Sequence, residues 1–371
     1  MAASPLLFAP LRIRSLTLKN RIVIGPMATY AAVAGTAGDW HLAHLAKFAA
    51  GGAGLVFFEA TAISRQSRIT QGAAGLWQDE QTAPLLRITE FLRQQGAASA
   101  IQLAHSGAPT ALPRPWDGEE PGAGDGLDRN ERLWDLIAAE QPGRSEIGPP
   151  VHEFGDAYLE ALLDEYELAA KRAATARFDV LEIHGGSGCL LHSFLSPALN
   201  RRGDEYGGTL EDRMRFPLEV VGRVRAAWPE ERPLFYRLSP IDSDDSGWHV
   251  DDTIAFASAL ARRGVDVIDC ASASTPLVAT GAAPDIQVET TRRLGAETEV
   301  LRLAGGGIRT AAEAEAALDA GNADLLALVR EVVWNPNWPL HAAGTLGADP
   351  NWGLWPPQYG WSLRRRAELE P

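Results

Sequence analysis

The chain has 371 residues, of which 46% are hydrophobic and 22% charged, fractions that are typical of a soluble globular protein rather than a disordered or fibrous one. Its 48 acidic residues outnumber its 34 basic ones and give a formal net charge of −14, which argues against nucleic acid or an anionic membrane as a partner. Its two cysteines, Cys189 and Cys270, are too few for a disulfide framework and show no spacing that predicts a metal site.

The amino-terminal residues carry neither a basic start nor a long apolar segment, so no signal peptide is predicted. No window of about 18 residues is both apolar and free of charge, so no membrane span is predicted. We therefore expect a cytoplasmic protein.

Short apolar runs recur along the chain, and each is followed by a longer stretch of helical periodicity. The runs are almost continuously hydrophobic, as the strands of a parallel sheet buried on both faces must be. The eight predicted strands are residues 21–27, 54–60, 98–103, 178–184, 233–238, 265–270, 300–304 and 323–329.

The stretches between these strands carry helix start and stop signals. Thr310 and Glu313 have the spacing of a capping box, and Arg262, Arg263 and Gly264 place cations and then glycine at a helix end. The predicted helices are residues 39–50, 79–95, 156–177, 210–228, 250–263, 284–294 and 311–320.

Eight strands alternating with helices over about 330 residues predict an α/β protein with the (β/α)8 TIM barrel fold, which we assign to residues 1–345. A doubly wound sheet is the competing topology, but it requires a Gly-x-Gly-x-x-Gly turn after an early strand. The second predicted strand is followed instead by Thr-Ala-Ile-Ser-Arg-Gln, and the glycines at 305–307 follow the seventh strand. In a barrel, that position commonly binds a phosphate.

Two segments lie outside this alternation. Residues 108–153 follow the third strand, are rich in Pro, Gly, Asp and Glu, and are longer than most loops in compact domains, so they form either a lid or a flexible acidic excursion. Residues 346–371 form a carboxyl-terminal tail that holds Trp352, Trp355, Tyr359 and Trp361. Aromatic side chains at that density are expected to be buried against another surface.

The carboxyl ends of the strands form the face where the active sites of such barrels collect. The residues predicted there include Gln102, His184 and Arg237, and also the glycine run at 305–307 with Arg330 close by. Backbone N–H groups of a glycine turn and an arginine fork suit a phosphate dianion. The ligand is therefore expected to be phosphorylated at one end and to present a flat polar ring to the remaining Arg and Gln.

Two histidines on the first predicted helix, His41 and His44, have an i, i+3 spacing that places them on one face. A metal site needs further ligands, and the sequence implies none. We therefore predict that both side chains pack, and no metal cofactor is predicted.

Several longer motifs carry a resemblance to a known family. They are LKNRIVIGPM at 18–27, QLAHSG at 102–107, EIHGGSGCLLHSFLSPALNRRGDEYGG at 182–208 and EDRMRF at 211–216. In this order and over nearly the whole chain, the sequence resembles the old yellow enzyme family of flavin-dependent ene reductases. PWDG at 115–118 and the later tryptophans make it most similar to the bacterial branch that contains xenobiotic reductases.

The resemblance implies FMN bound non-covalently at the barrel mouth and reduced by NADPH or NADH. It implies that the flavin ring is lined by Pro26, Met27, Ala28 and Ala60. It further implies that Gln102 bonds the pyrimidine edge and that Arg237 stabilises negative charge on the reduced ring. The phosphate would then be held by Gly306, Gly307 and Arg330, in agreement with the phosphate expected from the glycine run.

The chain departs from the family pattern at the candidate catalytic positions. His184 is present, but Ser187 stands where the family usually has a second His or Asn that binds the substrate carbonyl. Cys189 stands where the family usually has a proton-donating Tyr, so either Cys189 or solvent protonates the substrate. Ala28 replaces a common Cys or Thr, and Val329 replaces a common Gly. Tyr30 occupies a substrate-facing position, and its phenol is a candidate replacement for part of the lost donor set.

These departures leave the reaction open at this stage. The first hypothesis is an enzyme that takes hydride from NAD(P)H and reduces an activated C=C bond of an unusual small molecule. The second is FMN-dependent desaturation, isomerisation or another specialised redox step, and the third is an FMN-carrying protein without turnover. The physiological substrate, the choice between NADPH and NADH and the redox direction are not readable from the sequence.

The tail bears on assembly. In the related bacterial branch, a carboxyl-terminal aromatic or arginine reaches the active site of the neighbouring subunit. The resemblance therefore implies a homodimer or a higher oligomer in which Trp361 lies near the active site of the neighbouring copy.

Overall fold

The computed structural model describes residues 4–107, 114, 116, 154–242, 247–271, 274–275, 278–279 and 284–369. Its strands are β1 (Leu11–Ile13), β2 (Leu16–Leu18), β3 (Ile22–Ile24), β4 (Leu55–Ala62), β5 (Ala98–Ala104), β6 (Val180–Gly185), β7 (Leu234–Leu238), β8 (Val267–Ala271), β9 (Ser274–Thr275), β10 (Val278–Ala279), β11 (Leu301–Gly305) and β12 (Leu325–Leu328). Apart from Arg114 and Trp116, the predicted lid or excursion at 108–153 lies outside these residues.

Eight parallel strands close into a barrel in the order β11-β12-β3-β4-β5-β6-β7-β8. The predicted (β/α)8 fold is therefore confirmed. The barrel closes where β12 pairs with β3, with Leu326 opposite Ile22. The first strand is shorter than predicted because Gly25 and Pro26 follow it, and proline has no N–H for the sheet ladder.

Helices cover the outside of the barrel. They are α1 (Asp39–Ala50), α2 (Thr82–Gln94), α3 (Asp156–Thr175), α4 (Leu190–Leu195), α5 (Leu210–Ala227), α6 (Val250–Arg262), α7 (Pro284–Glu297), α8 (Ala311–Asp319), α9 (Arg330–Trp334), α10 (Trp338–Thr345) and α11 (Pro357–Leu369), with 3-10 turns at Leu6–Phe8 and Asp79–Gln81. The predicted helices are all present, and α4, α9, α10 and α11 were not predicted.

The barrel interior is filled by one apolar side chain or more from each barrel strand, among them Val23, Phe57 and Phe235. Ile13 and Leu18 from the β1–β2 hairpin join the same cluster. This hairpin, which the sequence analysis did not predict, therefore contributes apolar surface to the barrel interior. A second, larger cluster fills the layer between the strands and the helices.

One irregularity in the barrel lies next to the candidate site. The pairing of β4 with β5 shifts register between Phe58 and Ala60, so Glu59 is an extra residue in β4. Such bulges re-aim the side chains that follow them. Beyond the bulge, Ala60 pairs with Gln102 at the carboxyl end of the barrel.

Among the described residues, no helix is long and apolar enough to cross a membrane.

Candidate functional site

The carboxyl ends of the barrel strands enclose two cavities that share the side chain of Arg237. The first, the glycine cavity, has a volume of about 380 Å³ and includes Gly306, Gly307 and Arg330. The second, the apolar cavity, has a volume of about 210 Å³. Its lining includes these predicted site residues: Pro26, Ala28, Tyr30, Ala60, Gln102, His184, Ser187 and Cys189.

Met27 is the one predicted site residue that lines neither cavity. Its side chain is half-buried and packs against the core between strands and helices. Pro26 and Ala28, on either side of it, line the apolar cavity. Its implied contact with a flavin ring stays a prediction.

The glycine cavity has the features of an anion site. Gly306 and Gly307 have φ angles of 106° and 76°, in the left-handed region that favours glycine. Besides Arg237, it is lined by Arg330, at the start of α9, and by Arg309. Arg309 was not singled out from the sequence, although its position two residues after the glycine run was a usable signal. Two arginines beside a glycine turn can bind a phosphate dianion.

The segment that carries Ala28 and Tyr30 is fixed by the buried Glu59. The backbone N–H of Thr29 donates to Glu59 Oε2 at 2.9 Å, and its hydroxyl donates to Oε1 at 2.7 Å. His41 Nε2 lies 3.1 Å from Oε1 of the same carboxyl, and Gly38 N–H donates to His41 Nδ1. His41 is thus packed, as predicted, but it also supports this segment. Glu59 itself was not singled out from the sequence.

Two polar side chains face the junction of the two cavities. Arg237 is only 19% exposed and donates from Nη1 to Asp269 Oδ2 at 3.1 Å. The Gln102 amide is buried and donates from Nε2 to Glu182 Oε1 at 2.7 Å. Because this nitrogen is already committed to Glu182, the amide orientation of Gln102 is set within the protein. Their implied contacts with the polar edge of a flavin ring stay a prediction.

His184 is a neutral hydrogen-bond donor and not a charged one. Its Nδ1 is buried and has no hydrogen-bond partner among the described residues. Burial first, and then the charges of Arg237 and His192, lower the pKa of His184 to about 3. The imidazole is therefore neutral at physiological pH, with one N–H donor and one acceptor nitrogen.

Ser187 lies in a strained turn that is held from two sides. Its φ angle is 58°, which is uncommon for a residue other than glycine. Its N–H donates to Ser239 Oγ at 2.9 Å, and the next N–H, that of Gly188, donates to His192 Nδ1 at 3.0 Å. His192 Nε2 in turn lies 2.7 Å from Asp242 Oδ1. The turn leaves Ser187 Oγ buried, without a hydrogen-bond partner among the described residues, at the apolar cavity.

Cys189 and Tyr30 are the two remaining candidate donors. Burial raises the pKa of the Cys189 thiol to about 12, with Arg237 opposing the shift, so the thiol stays protonated and is a poor acid. Burial and the charge of Glu59 raise the pKa of Tyr30, so its phenol also stays neutral. The Tyr30 ring lies edge-on to Trp116, with 5.9 Å between the ring centroids.

These residues fit the FMN that the resemblance implies. The left-handed glycines and two arginines match a phosphate, while Pro26, Ala28 and Ala60 offer an apolar wall to a ring. Arg237 connects the two cavities, as a ligand with one charged and one flat end requires. Among the described residues, His184 Nδ1 and Ser187 Oγ have no hydrogen-bond partner.

Comparisons with known proteins agree with this fit. A sequence model of the NADH:flavin oxidoreductase / NADH oxidase family matches residues 6–348. An NADPH dehydrogenase of Geobacillus sp. (strain WCH70) is 36% identical over 344 residues, covering 92% of this chain and 95% of that protein. An NADH:flavin oxidoreductase of Gibberella zeae is 35% identical over 385 residues, covering 99% of this chain and 91% of that protein.

Solved structures give the same result. Morphinone reductase in complex with tetrahydroNAD has a TM-score of 0.71 and 27% identity, covering 93% of this chain and 91% of that one. An old yellow enzyme homologue from Zymomonas mobilis has a TM-score of 0.70 and 27% identity, covering 91% of this chain and 92% of that one.

Proposed function

Since this chain belongs to the NADH:flavin oxidoreductase / NADH oxidase family and is an FMN-dependent NAD(P)H oxidoreductase of the old yellow enzyme type, we propose that it reduces the C=C bond of a small α,β-unsaturated carbonyl compound. One observation carries the proposal. His184 Nδ1 and Ser187 Oγ are two buried polar atoms without partners among the described residues, and both residues line the same cavity of about 210 Å³. Buried polar atoms left unpaired by the protein call for a partner from a ligand.

We assign the cofactor to the two cavities together. Gly306, Gly307, Arg309 and Arg330 hold its phosphate. Pro26, Ala28 and Ala60 face its ring, and Gln102 and Arg237 bind the polar edge of that ring. Bound FMN supplies the hydride transfer from NAD(P)H to the substrate.

The substrate carbonyl oxygen accepts hydrogen bonds from His184 and Ser187. Two aimed donors polarise the carbonyl and stabilise the negative charge that develops on its oxygen, and one such donor is worth about 2.7–4 kcal/mol in a water-excluded site. His184 is neutral at physiological pH, because burial and the charges of Arg237 and His192 lower its pKa to about 3, and a neutral imidazole offers one N–H donor. The side chain of Ser187 is shorter than that of His184, and its hydroxyl is the weaker donor of the two.

Solvent supplies the proton that the substrate carbon needs. General acids work best when their pKa lies near the operating pH, whereas the Cys189 thiol has a pKa of about 12. Cys189 therefore acts as a small neutral side chain that leaves room for a substrate wider than a tyrosine would allow. Tyr30, which lines the same cavity, adds a third neutral donor.

The test is anaerobic rapid-mixing spectroscopy of the purified protein. NADPH or NADH should bleach the flavin absorbance, and a simple enone such as cyclohexenone should restore it. Reduction by nicotinamide without enone-dependent reoxidation would contradict the proposal. The same experiment with Ser187→Ala should slow only the second phase, because Ser187 is placed at the substrate and not at the cofactor.

A second candidate reaction, desaturation or isomerisation, is favoured by one observation. Cys189 occupies the position of the proton-donating tyrosine, and a raised thiol pKa makes protonation from the protein weak. A saturated ketone that reduces the flavin anaerobically, with no nicotinamide present, would favour this alternative.

For assembly, we propose a homodimer or higher oligomer in which the tail contacts the neighbouring copy. Tyr359 and Trp361 on α11 are 58% and 53% exposed, so the tail presents large aromatic surface. Light scattering should show a mass of two copies or more, and removal of residues 351–371 should lower it. An unchanged mass and an unchanged substrate profile would contradict the placement of Trp361 near the partner's cavity.

A further inference from the structure

Beneath the junction of the two cavities, neighbouring barrel strands bring together an unusual set of buried side chains. Strand pairing places Gln102 of β5 opposite Glu182 of β6, and Arg237 of β7 opposite Asp269 of β8. Glu182 is 0% exposed and Asp269 is 1% exposed. Two acidic side chains and one cation therefore share the interior of the barrel.

The hydrogen bonds divide unequally between the two acids. Asp269 Oδ2 accepts from Arg237 Nη1 at 3.1 Å. Among the described residues, the one hydrogen-bond donor to Glu182 Oε1 is the neutral amide of Gln102, at 2.7 Å. Glu182 Oε2 and Asp269 Oδ1 are both buried without a hydrogen-bond partner among the described residues. Two buried carboxylates with one compensating cation leave an unpaired negative charge, which is costly in an apolar interior.

The electrostatic environment indicates which acid avoids that cost by binding a proton. Burial, followed by the charge of Asp269, raises the pKa of Glu182 well above its usual range, while Arg237 and the bond from Gln102 oppose the shift. Burial also raises the pKa of Asp269, but the Arg237 guanidinium bonds it directly. Asp269 and Arg237 are the charged groups that act on Glu182 from the neighbouring strands. Glu182 is therefore the acid that holds the proton.

We propose that Glu182 is a positioning residue for the flavin site: as a neutral acid it fixes the amide of Gln102 and leaves Arg237 balanced by one carboxylate instead of two. This rests on the proposed placement of Gln102 and Arg237 against FMN. With its Nε2 bound to Glu182, Gln102 turns its carbonyl oxygen to the cavity as an acceptor for a ring N–H. With Glu182 neutral, Arg237 and Asp269 cancel, and no net negative charge opposes the electron-rich ring of the reduced cofactor.

The experiment compares Glu182→Gln with Glu182→Leu in the FMN-loaded protein. Glutamine keeps the acceptor for Gln102 and offers an N–H where the acid offers an O–H, whereas leucine removes both. FMN affinity, measured by titrating stripped protein with FMN, should fall about tenfold in Glu182→Leu and be restored to within about twofold in Glu182→Gln. The flavin reduction potential near neutral pH should likewise be the same in Glu182→Gln as in the parent chain.

A second measurement detects the proton directly. Infrared difference spectra between Glu182→Gln and the parent protein should show the loss of the carbonyl band of a protonated carboxyl group. Asp269→Asn should also weaken that band, because the change removes a charge that raises the pKa of Glu182 and leaves Arg237 to be balanced by Glu182. This readout applies to the protein with or without FMN.

The stability of the two proteins should also diverge with pH. A carboxyl group whose folded pKa is raised costs stability as pH rises from its unfolded pKa of about 4.3 towards the folded value, because the unfolded chain releases the proton first. The parent chain should therefore lose stability relative to Glu182→Gln over that window. A constant difference in Tm would contradict the proposal.

Other outcomes separate the possible failures. A potential that rises in Glu182→Gln, or an infrared carboxyl band that persists, would mean that Glu182 is ionised and would overturn the inference. If Gln102→Leu binds FMN as tightly as the parent chain, the proposed placement of Gln102 fails. The infrared and stability measurements would then still decide whether Glu182 carries a proton.

Discussion

The ends of β4 and β6 lie on the same rim of the barrel, yet their buried polar groups differ in whether they have hydrogen-bond partners. At β4, Glu59 accepts two hydrogen bonds from Thr29 and lies 3.1 Å from His41. At β6, Glu182 Oε2, His184 Nδ1 and Ser187 Oγ are buried without hydrogen-bond partners among the described residues. The partnered Glu59 carboxylate supports the scaffold, and we propose that a proton or a ligand completes the groups at β6 that have no partner among the described residues.

The largest expected effect is a loss of stability when the buried carboxylate of Glu59 in β4 is removed. Glu59→Ala leaves the Thr29 N–H and the Thr29 hydroxyl without their acceptor and removes the carboxylate that lies 3.1 Å from His41 Nε2. Each unsatisfied donor costs about 1–3 kcal/mol. We expect the free energy of unfolding to fall by about 3–5 kcal/mol, measured by urea titration. Glu182→Gln, which keeps its acceptor, is the matched control, and equal losses in the two variants would erase the contrast.

The next largest effect is expected on catalysis, when His184 at the end of β6 is replaced. His184→Ala removes one aimed donor, so kcat/KM for an enone should fall about 10²–10³-fold. The rate at which NAD(P)H reduces the flavin should fall much less, and urea stability should change little. A variant that is unstable but catalytically normal would assign His184 to the scaffold instead.

Ser187→Ala should have a smaller effect of the same kind. A single neutral hydrogen bond contributes about 0.5–1.5 kcal/mol, so we expect roughly a 2–10-fold loss in kcat/KM. Steady-state kinetics on one enone measure it. Ser239→Ala, which removes only the acceptor for the Ser187 N–H, is the comparison variant for the strained turn.

The smallest effect is expected at Cys189. Its thiol pKa of about 12 keeps it protonated through the physiological range. Cys189→Ala should therefore change enone turnover by about twofold or less and leave the pH profile unchanged between pH 6 and 9, because a proton from solvent is not lost with the thiol. A pH-dependent loss confined to this variant would identify Cys189 as the acid.

The sequence predicted the barrel because apolar runs and capping signals are local properties. The predicted helix at residues 39–50 coincides with α1 (Asp39–Ala50). The sequence also indicated that Gln102, His184 and Arg237 lie near the carboxyl ends of their strands, because the end of a strand can be recognised from its own residues. The β1–β2 hairpin and the helix α4 escaped prediction, since a three-residue strand and a six-residue helix have too little periodicity to detect.

The supports of the site were not readable in the same way. Glu59 lies in a predicted strand, but its role depends on a bulge that arises from pairing with β5. The pairing of His192 with Asp242 joins positions fifty residues apart, and the unequal sharing of Arg237 by Asp269 and Glu182 depends on three strands. Such contacts form only when the barrel closes, and they join residues too far apart in the sequence to be recognised from a local pattern.

The pairing of β12 with β3, which closes the barrel, has a consequence for how the chain folds. Leu326 of β12 lies beside Ile22 of β3, so the ring is sealed by contacts that span almost the whole described chain. Pairings so distant in sequence slow folding, because a very long loop must be ordered before they form. A nascent chain on the ribosome carries β3 as an open edge until β12 has emerged. Synthesis that stops before β12 therefore releases a chain with an unpaired apolar strand edge, which is a substrate for chaperones and a risk for aggregation.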